Sequence, residues 1–568
     1  MSSSHQKIDQ QVELSPTIIK FGSAIRASHG VGISITDSHS TVEPGGVFVA
    51  VRGAKFNGED FIPQAIEKGA KFVIVSRDYL LFSQSVDSGY RVIPPGIDIN
   101  FTNYMEEEGA IIATQNPRLA LSYLASCLHP DQPENIVAVT GTNGKTSTCY
   151  FFAQISAFCG FDSAVIGTLG LVRFKGKSNQ TLFDQSISVV PIEALAGGVL
   201  TTPNPILLHT QLQELAHDGI THIAIEASSH GLDQYRLDFV KLTGAGFTNL
   251  SQDHLDYHQN MSEYYNAKKA LFSRLQPKSA VLNGEIAEYE DLSLCAATCG
   301  FRILSYGKAY RDDDLKILSH SNDSLVISIF NKTYRATCVL GANFQIDNLM
   351  CAIGLAISTG MEITDIIASI PHLQSPPGRM DRFEFPMIAD QGSVDQFKDQ
   401  HSITPNSSGI AEIYIDYAHT PDGLKLVLEQ LQSGCLGRLL VVFGCGGNRD
   451  AGKRAIMGAI AYRCADITIV TDDNPRHEDP AMIRQDILSG CDIAGCSIEE
   501  QVHVDLHTAP LLMEIAGRDL AIHYAIGMLR VGDRLLIAGK GHETFQIVGD
   551  SKIPHSDRAC VESIMMKS

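Results

Sequence analysis

The apolar run Ile136-Val137-Ala138-Val139 leads directly into Thr140-Gly141-Thr142-Asn143-Gly144-Lys145-Thr146-Ser147, and a helical segment, Cys149 to Phe158, follows. A strand, a glycine loop and a helix N-terminus in that order form a phosphate cradle. The glycines let backbone N–H groups curl around the anion, and the helix dipole favours its charge. Lys145 has the reach for β- and γ-phosphates, and the Thr146 hydroxyl can ligate Mg²⁺. The spacing departs from GxxxxGK(S/T), because position 139 is Val rather than Gly. A plain glycine turn before a helix is the competing reading, and the agreement of strand, loop and helix outweighs it. The element predicts a nucleoside triphosphate site.

Two further segments carry metal-capable groups. The strand His222-Ile223-Ala224-Ile225 ends at Glu226. An acid at a strand's carboxyl end, near a phosphate loop in the same sheet, can bind Mg²⁺ directly or through water; capping a following helix is the alternative. Asp253-His254-Leu255-Asp256-Tyr257-His258 offers two Asp and two His within six residues, or merely a polar loop. Beyond it, Tyr264 to Phe272 reads as a helix with Tyr264, Lys268 and Leu271 on one face and Lys269 displaced from it. On the residues alone, Lys268 is a solvated surface lysine. Arg236 is chemically suited to clamp a carboxylate or phosphate.

These groups need a scaffold. The chain of 568 residues predicts roughly three or four domains. With 44% hydrophobic and 19% charged residues, each can bury an ordinary core, which excludes bulk disorder and fibrous architectures. Residues 1–112 hold short β-rich runs, Val47–Val51 and Lys71–Val75, around a helix candidate from Phe61 to Gly69. From 113 to 378 strands alternate with helices, the clearest strands being Ile136–Val139, His222–Ile225 and Ala245–Leu250. Ser375-Pro376-Pro377-Gly378 punctuates the chain. From 379 the alternation resumes, with buried strands expected at Ile413–Asp416, Leu439–Phe443, Ile467–Thr471 and Arg534–Ala538, several ending in loops where open α/β sheets place ligands. Residues 388–410 are polar and predict an exposed loop. The fold class is α/β with mostly parallel sheets.

Charge and cysteines narrow the partners. Lys and Arg number 44 against 64 Asp and Glu, a formal net charge of −20, which argues against a nucleic-acid or anionic-membrane partner. An anionic small substrate stays open, through local basic and backbone N–H sites. The 13 cysteines are scattered and contain no CxxC, as expected of reduced thiols in a cytoplasmic protein. The polar N-terminus has no signal-peptide core, and no apolar run is long enough to cross a membrane.

The loop TGTNGKTS resembles that of the Mur ligase and folylpolyglutamate synthetase superfamily, whose members use the shortened GTNGK(T/S) form. The resemblance implies three domains: an N-terminal UDP-substrate domain (1–112), a central P-loop ATPase-like domain (113–378) and a C-terminal Rossmann-like amino-acid domain (379–568). It implies ATP on Gly141, Thr142, Asn143, Gly144, Lys145, Thr146 and Ser147, with Mg²⁺. EASSHGL (Glu226–Leu232) and FTNLSQDHLDYH (Phe247–His258) look like consecutive family motifs. They imply Glu226 on Mg²⁺, where the Thr146 hydroxyl also points, His254 on a second Mg²⁺, and Ser228, Gln234 and Arg236 on a muramyl dipeptide. The A-K-x-x-L-F context of Lys268 matches the lysine that the family's tripeptide synthetases carry as a carbamate. That anion would help hold Mg²⁺ and face the UDP substrate.

The remaining motifs choose a branch of the family. Asp37-Ser38-His39 and Gly53–Gly58 resemble the segment that holds the UDP end, with Ser38 as a contact and His39 where Arg is usual. Thr201-Thr202-Pro203-Asn204 resembles a substrate loop, although a turn or helix cap explains it equally well. Phe344-Gln345 with Asn348 resembles an adenine-proximal motif, and Gly378-Arg379-Met380 an ATP-binding arginine segment. Asp416–Pro421 matches DYAHTP, including Asp416 on ATP, and Phe443–Asp450 matches FGCGGxRD. DDNPR (Asp472–Arg476) and AGKGHE (Ala538–Glu543) follow. DNPR is the form of members that add meso-2,6-diaminopimelate, whose extra carboxylate an Arg can bind with paired hydrogen bonds. The implied amino-acid contacts are Arg449, Asp473, Asn474, Pro475 and Arg476, with Gly539 and Glu543 receiving an ammonium.

The expected activity is an ADP-forming amide ligase acting on UDP-N-acetylmuramoyl-L-alanyl-D-glutamate in cytoplasmic peptidoglycan precursor synthesis, as a monomer. The alternatives are a lysine-adding member, a folylpolyglutamate synthetase and a non-ligating P-loop protein.

Overall fold

The computed structural model describes residues 14–28, 33–53, 56–82, 90–95, 109–176, 188–190, 200–255, 257–308, 313–321, 324–338, 340, 343–387, 409–496 and 510–566. Asp256 and residues 388–408 of the expected exposed loop lie outside these; the loop's last two positions, Gly409 and Ile410, begin a strand.

The first sheet holds β1 (Ile35–Thr36), β2 (Val47–Val49), β3 (Phe72–Ser76), β4 (Tyr90–Ile93) and β5 (Gly109–Thr114) in the order β1-β2-β3-β5-β4, all parallel. The helix Pro16–Ala27 and the helix Pro117–Leu128 cover one face, where Ile18, Phe21, Leu121 and Leu124 share a core with Val47 and Ile74.

The central sheet contains β6 (Asn135–Thr140), β7 (Ser163–Gly167), β8 (Gly170–Phe174), β9 (Ser188–Val190), β10 (His222–Glu226), β11 (Gly244–Phe247), β12 (Ser279–Asn283), β13 (Arg302–Lys308), β14 (Leu315–Ser321), β15 (Ser324–Ile329) and β16 (Lys332–Thr337). Their order is β16-β15-β14-β13-β12-β11-β6-β10-β7-β8-β9. It is parallel from β14 to β7 and antiparallel at both margins. β6 reads as one apolar run because both its faces are covered. Val137 and Val139 join a core with the helices Lys145–Phe158 and Asn343–Ser358, while Ile136 and Ala138 face the helices Pro205–His217 and Met261–Ser273.

The third sheet contains β17 (Asp381–Met387), β18 (Gly409–Asp416), β19 (Leu439–Phe443), β20 (Ile467–Val470), β21 (Leu511–Glu514) and β22 (Arg534–Ala538), ordered β17-β18-β22-β19-β20-β21. All its pairs are parallel except β17 with β18. A ribbon of β23 (Phe545–Val548) and β24 (Ser551–Pro554) follows. Among the described residues no helix is long and apolar enough to cross a membrane.

Candidate active site

β6 lies between β10 and β11, so the loop leaving its carboxyl end is flanked by the ends of both neighbours. Gly141 and Gly144 have φ of +145° and +85°. A Cβ at Gly141 would collide with Thr248 Oγ1, and one at Gly144 with Asn348 Oδ1, so the loop requires glycine at both places. The helix begins at Lys145, four residues before the expected Cys149, because left-handed Gly144 serves as its N-cap and its carbonyl accepts from Thr148 N. β11 stops at Phe247 rather than Leu250 because the chain then turns to hold the glycine loop. Thr248 Oγ1 donates to Asn143 O (2.6 Å), Asn249 Oδ1 accepts from Asn143 N (2.9 Å), and Ser251 N donates to Thr142 Oγ1 (2.9 Å).

Lys145 Nζ curls over this loop, donating to the carbonyls of Gly141 and Thr142 at 2.8 Å each. Burial lowers its pKa against the pull of Glu226 and Asp253. Thr146 Oγ1 donates to Glu226 Oε2 (2.9 Å), and Glu226 also accepts from Thr168 N (2.9 Å) and Thr168 Oγ1 (3.0 Å). Glu226 therefore caps no helix; Ser228 caps the one that follows, accepting from Gly231 N.

Lys268 corrects the surface-lysine reading: it is 1% exposed. Its Nζ donates to Gly141 O at 2.8 Å and lies 4.4 Å from the centroid of the Tyr264 ring. Burial, reinforced by Lys145, pushes the amine well below its ordinary pKa. Tyr264 OH in turn lies 3.1 Å from Thr142 Oγ1. His254 has φ of +53°, and its Nε2 lies 3.4 Å from Asp253 Oδ2. Burial lowers the imidazole to about 4 despite that carboxylate. Burial would raise Asp253, but His254, His419 and Lys453 hold it at about 2. Among the described residues no group of three or more His, Cys, Asp and Glu side chains converges as a metal cage.

The muramyl-side residues form a contiguous strip beside Glu226. Thr202 Oγ1 donates to Glu226 O (2.7 Å) and shares a hydrogen bond with Ser228 Oγ (3.0 Å). Arg236 donates to Thr202 O and to Gln234 Oε1, both at 2.7 Å, and Thr201 Oγ1 lies 3.2 Å from Thr168 Oγ1. Burial lowers the Arg236 guanidinium to about 10, with Arg118 adding repulsion. Ser38 lies in the loop after β1 and bonds Ser40 Oγ, while His39 stacks on Phe61 with ring centroids 4.5 Å apart. Its neighbour Asp37 has its carboxyl raised by burial and is partly restrained by Arg118 and Arg236, so this loop faces the strip.

Opposite stands the third sheet. β18, β22, β19 and β20 are adjacent, and their carboxyl-end loops carry DYAHTP, AGKGHE, FGCGG and DDNPR. Asp416 accepts from Met380 N and Ala418 N at 2.8 Å each, and burial raises its carboxyl. Arg379 stacks on Tyr417, 4.4 Å from its ring centroid, and its Nη2 reaches Thr146 Oγ1 at 3.4 Å. The two sheets thus meet across the phosphate loop. One cavity at this seam, about 870 Å³, is lined by Asn143, Gly144, Asn249, Phe344 and Asn348 among others. A smaller one meets Thr146, Ser147, Gln345, Arg379 and Asp416. Gln345 Oε1 accepts from Asn348 Nδ2 (3.2 Å), both side chains being buried.

The amino-acid residues also come together. Arg476 Nη1 donates to Gly447 O (2.8 Å), and burial with nearby Arg449 lowers its pKa while Asp473 and Glu543 counter this. Asn474 Nδ2 donates to Glu543 Oε2 (2.9 Å), and Gly447 N donates to Asn474 O (2.9 Å). Pro475 O accepts from Glu478 N (3.1 Å), and Gly539 N donates to Asp416 O (3.1 Å). Sequence reasoning missed Thr168, Asn249, Arg118 and Lys540. Lys540, inside AGKGHE, and Asn249, inside FTNLSQDHLDYH, carried a signal; Thr168 and Arg118 are brought in by chain crossings that no local pattern announces.

Comparison with known proteins agrees with this arrangement. Family models match as the Mur ligase family, catalytic domain (29–128), the Mur ligase middle domain (139–356) and the Mur ligase, glutamate ligase domain (403–541). The chain is 38% identical over 551 residues to the UDP-N-acetylmuramoyl-L-alanyl-D-glutamate–2,6-diaminopimelate ligase of Bradyrhizobium diazoefficiens, covering 95% of this chain and 96% of that one. It is 38% identical to the enzyme of the same name from Rhizobium meliloti, covering 94% and 93%. A solved structure of a ligase of that name superposes with a TM-score of 0.57 at 27% identity, covering 94% of each chain. A MurF ligase from Thermotoga maritima in complex with ADP shares the fold, with a TM-score of 0.52 at 15% identity over 94% and 97%. The chain belongs to the Mur ligase family, in the group of its UDP-N-acetylmuramoyl-L-alanyl-D-glutamate–2,6-diaminopimelate ligases.

Proposed function

We propose that this protein joins meso-2,6-diaminopimelate to the D-glutamate γ-carboxylate of UDP-N-acetylmuramoyl-L-alanyl-D-glutamate, converting ATP to ADP and phosphate in peptidoglycan precursor synthesis. The observation that carries this reading is the meeting of two sheet ends, with Arg379 bridging to Thr146. Arg379 thereby ties the phosphate loop to the third sheet, whose carboxyl-end loops carry Arg449, Arg476 and Glu543.

A carboxylate is a poor electrophile and needs activation. In the proposed reaction a γ-carboxylate oxygen attacks the γ-phosphorus of ATP and ADP departs. The diaminopimelate amine then attacks the acyl carbon, phosphate leaves, and the amine's proton is lost. Lys145 would turn from the carbonyls it now bonds toward the phosphates, stabilising charge as it develops. Arg236 and Ser228 would hold the muramyl peptide, while Arg379, Asp416, Gln345 and Asn348 would hold the nucleotide. Closure of the seam excludes water from the acyl phosphate.

The donors suit Mg²⁺. Thr146 Oγ1 and Glu226 Oε2 are already adjacent oxygens, burial favours the neutral His254 imidazole, and burial beside Lys145 favours the neutral Lys268 amine, the form from which a carbamate is made. These four residues would hold two such ions together with nucleotide oxygens, and when bound the metal supplies charge neutralisation to the phosphates. We further propose three domains, with the first division after the helix Pro117–Leu128, whose Leu121 and Leu124 belong to the first sheet's core, and the second at 378. The protein would work in the cytoplasm as a monomer, on small molecules rather than nucleic acid.

The test is ¹⁸O placed in the γ-carboxylate. Transfer of one labelled oxygen to the released phosphate is expected, the other staying in the amide carbonyl, and release of unlabelled phosphate would contradict the acyl-phosphate route.

A further inference from the structure

Lys540 is fully buried at the carboxyl end of β22, an unusual place for an ammonium unless its neighbours compensate it. Three groups do. Its Nζ donates to Glu543 Oε2 at 2.8 Å and to Asn474 Oδ1 at 3.1 Å, and lies 3.9 Å from Asp473 Oδ1. The contacts interlock, since Asn474 Nδ2 donates to the same Glu543 oxygen at 2.9 Å while Asn474 Oδ1 also accepts from Ile547 N. Glu543, Arg449 and Asp473 each act electrostatically on Arg476.

We propose that Lys540 is the positioning residue of the amino-acid site, holding Glu543 away from Arg476 so that the one stays available to an ammonium and the other to a carboxylate. This rests on the reading of that site as the diaminopimelate site. The physical argument is competition. A carboxylate and a guanidinium built to receive the two ends of a zwitterion are also complementary to each other, and their direct pair would exclude the ligand. Lys540 and Asn474 both donate to Glu543 Oε2, and the Lys540 side chain is fully buried. A charge-assisted pair is strong enough to hold a rotamer against such collapse. Lys540 would touch no reacting atom; it acts through Glu543.

The test is a double-mutant cycle on the full chain, with K540M, E543Q and the pair, reading KM and kcat for diaminopimelate, ATP and UDP-N-acetylmuramoyl-L-alanyl-D-glutamate. K540M is expected to raise the diaminopimelate KM about 10- to 100-fold, the scale of a lost charged hydrogen bond, with the other two KM values within about twofold. In the E543Q background the same change should add less than about threefold. Equal effects of K540M with and without Glu543, or a matching rise in the ATP KM, would overturn the proposal. If K540M does not fold, K540Q carries the same cycle. A wild-type enzyme that shows no diaminopimelate-dependent ADP release would sink the reading of the site itself, a different outcome from any in the cycle.

Discussion

The two poles of the seam are built on opposite principles. At the central sheet the reactive side chains bond to the loop they serve: Lys145 and Lys268 both donate to Gly141 O, and Thr146 donates to Glu226. At the third sheet charge is anchored by opposite charge, often well buried. Arg454 holds Glu478 and Asp486, Arg484 holds Asp472 and Glu514, and Arg518 holds Asp557 through Nε and Nη2 at 2.8 Å. The first pole is stocked with donors that an incoming polyanion can recruit by displacing weak internal bonds. The second is a frame of ion pairs, which on the proposed reading would discriminate a zwitterion by position. Substitutions should therefore fail differently at the two poles, in turnover at one and in amino-acid affinity or stability at the other.

The largest loss is expected from Lys145→Met, about 10³-fold in kcat with the diaminopimelate KM little changed, because a preorganised charge at the transferring phosphoryl group is removed. Lys268→Ala should lose nearly as much, and a short carboxylic acid should restore part of the rate; full activity in that variant would break the contrast at the nucleotide pole. At the frame, Asp557→Asn leaves buried Arg518 uncompensated and should cost about 3–5 kcal/mol in chemical denaturation. Burial alone would raise the Asp557 carboxyl, but Arg518 and His555 hold it well below the usual range. Its folded pKa is depressed, so its contribution is complete above the unfolded value near 3.9 and falls away as pH drops below it. The stability gap between the wild type and Asp557→Asn should narrow progressively as pH falls below that value and close only below the depressed folded pKa.

Arg476→Ala should raise the diaminopimelate KM about 10- to 100-fold and leave that of ATP in place. The smallest effect belongs to Lys269→Ala. Its partly exposed pair with Asp291 (2.7 Å) should contribute less than about 1 kcal/mol, and turnover should stay within about twofold. Lys268 and Lys269, one position apart, thus calibrate the two extremes.

Those two lysines also mark where the sequence stops being legible. The helical face placing Tyr264, Lys268 and Leu271 together, with Lys269 off it, is visible in the spacing. That this face turns toward Gly141 rather than water depends on a residue 127 positions away, and the residue types alone favour solvent. The strands that meet at the phosphate loop were readable because they are buried on both faces. The marginal hairpin of β15 and β16 was not, since its alternation with exposed polar residues looks like loop. Lys540 lay within a recognised motif, yet its hold on Asn474 links residues 66 apart and is visible only once β22 and β20 converge on the same sheet edge.

The central claim is most directly tested by ADP release from the purified protein across a panel of amino acids, with and without UDP-N-acetylmuramoyl-L-alanyl-D-glutamate. Release that requires both the muramyl dipeptide and meso-diaminopimelate, with lysine turned over far more slowly, is the predicted result. Equal turnover of lysine, or ADP release that ignores the amino acid, would contradict it.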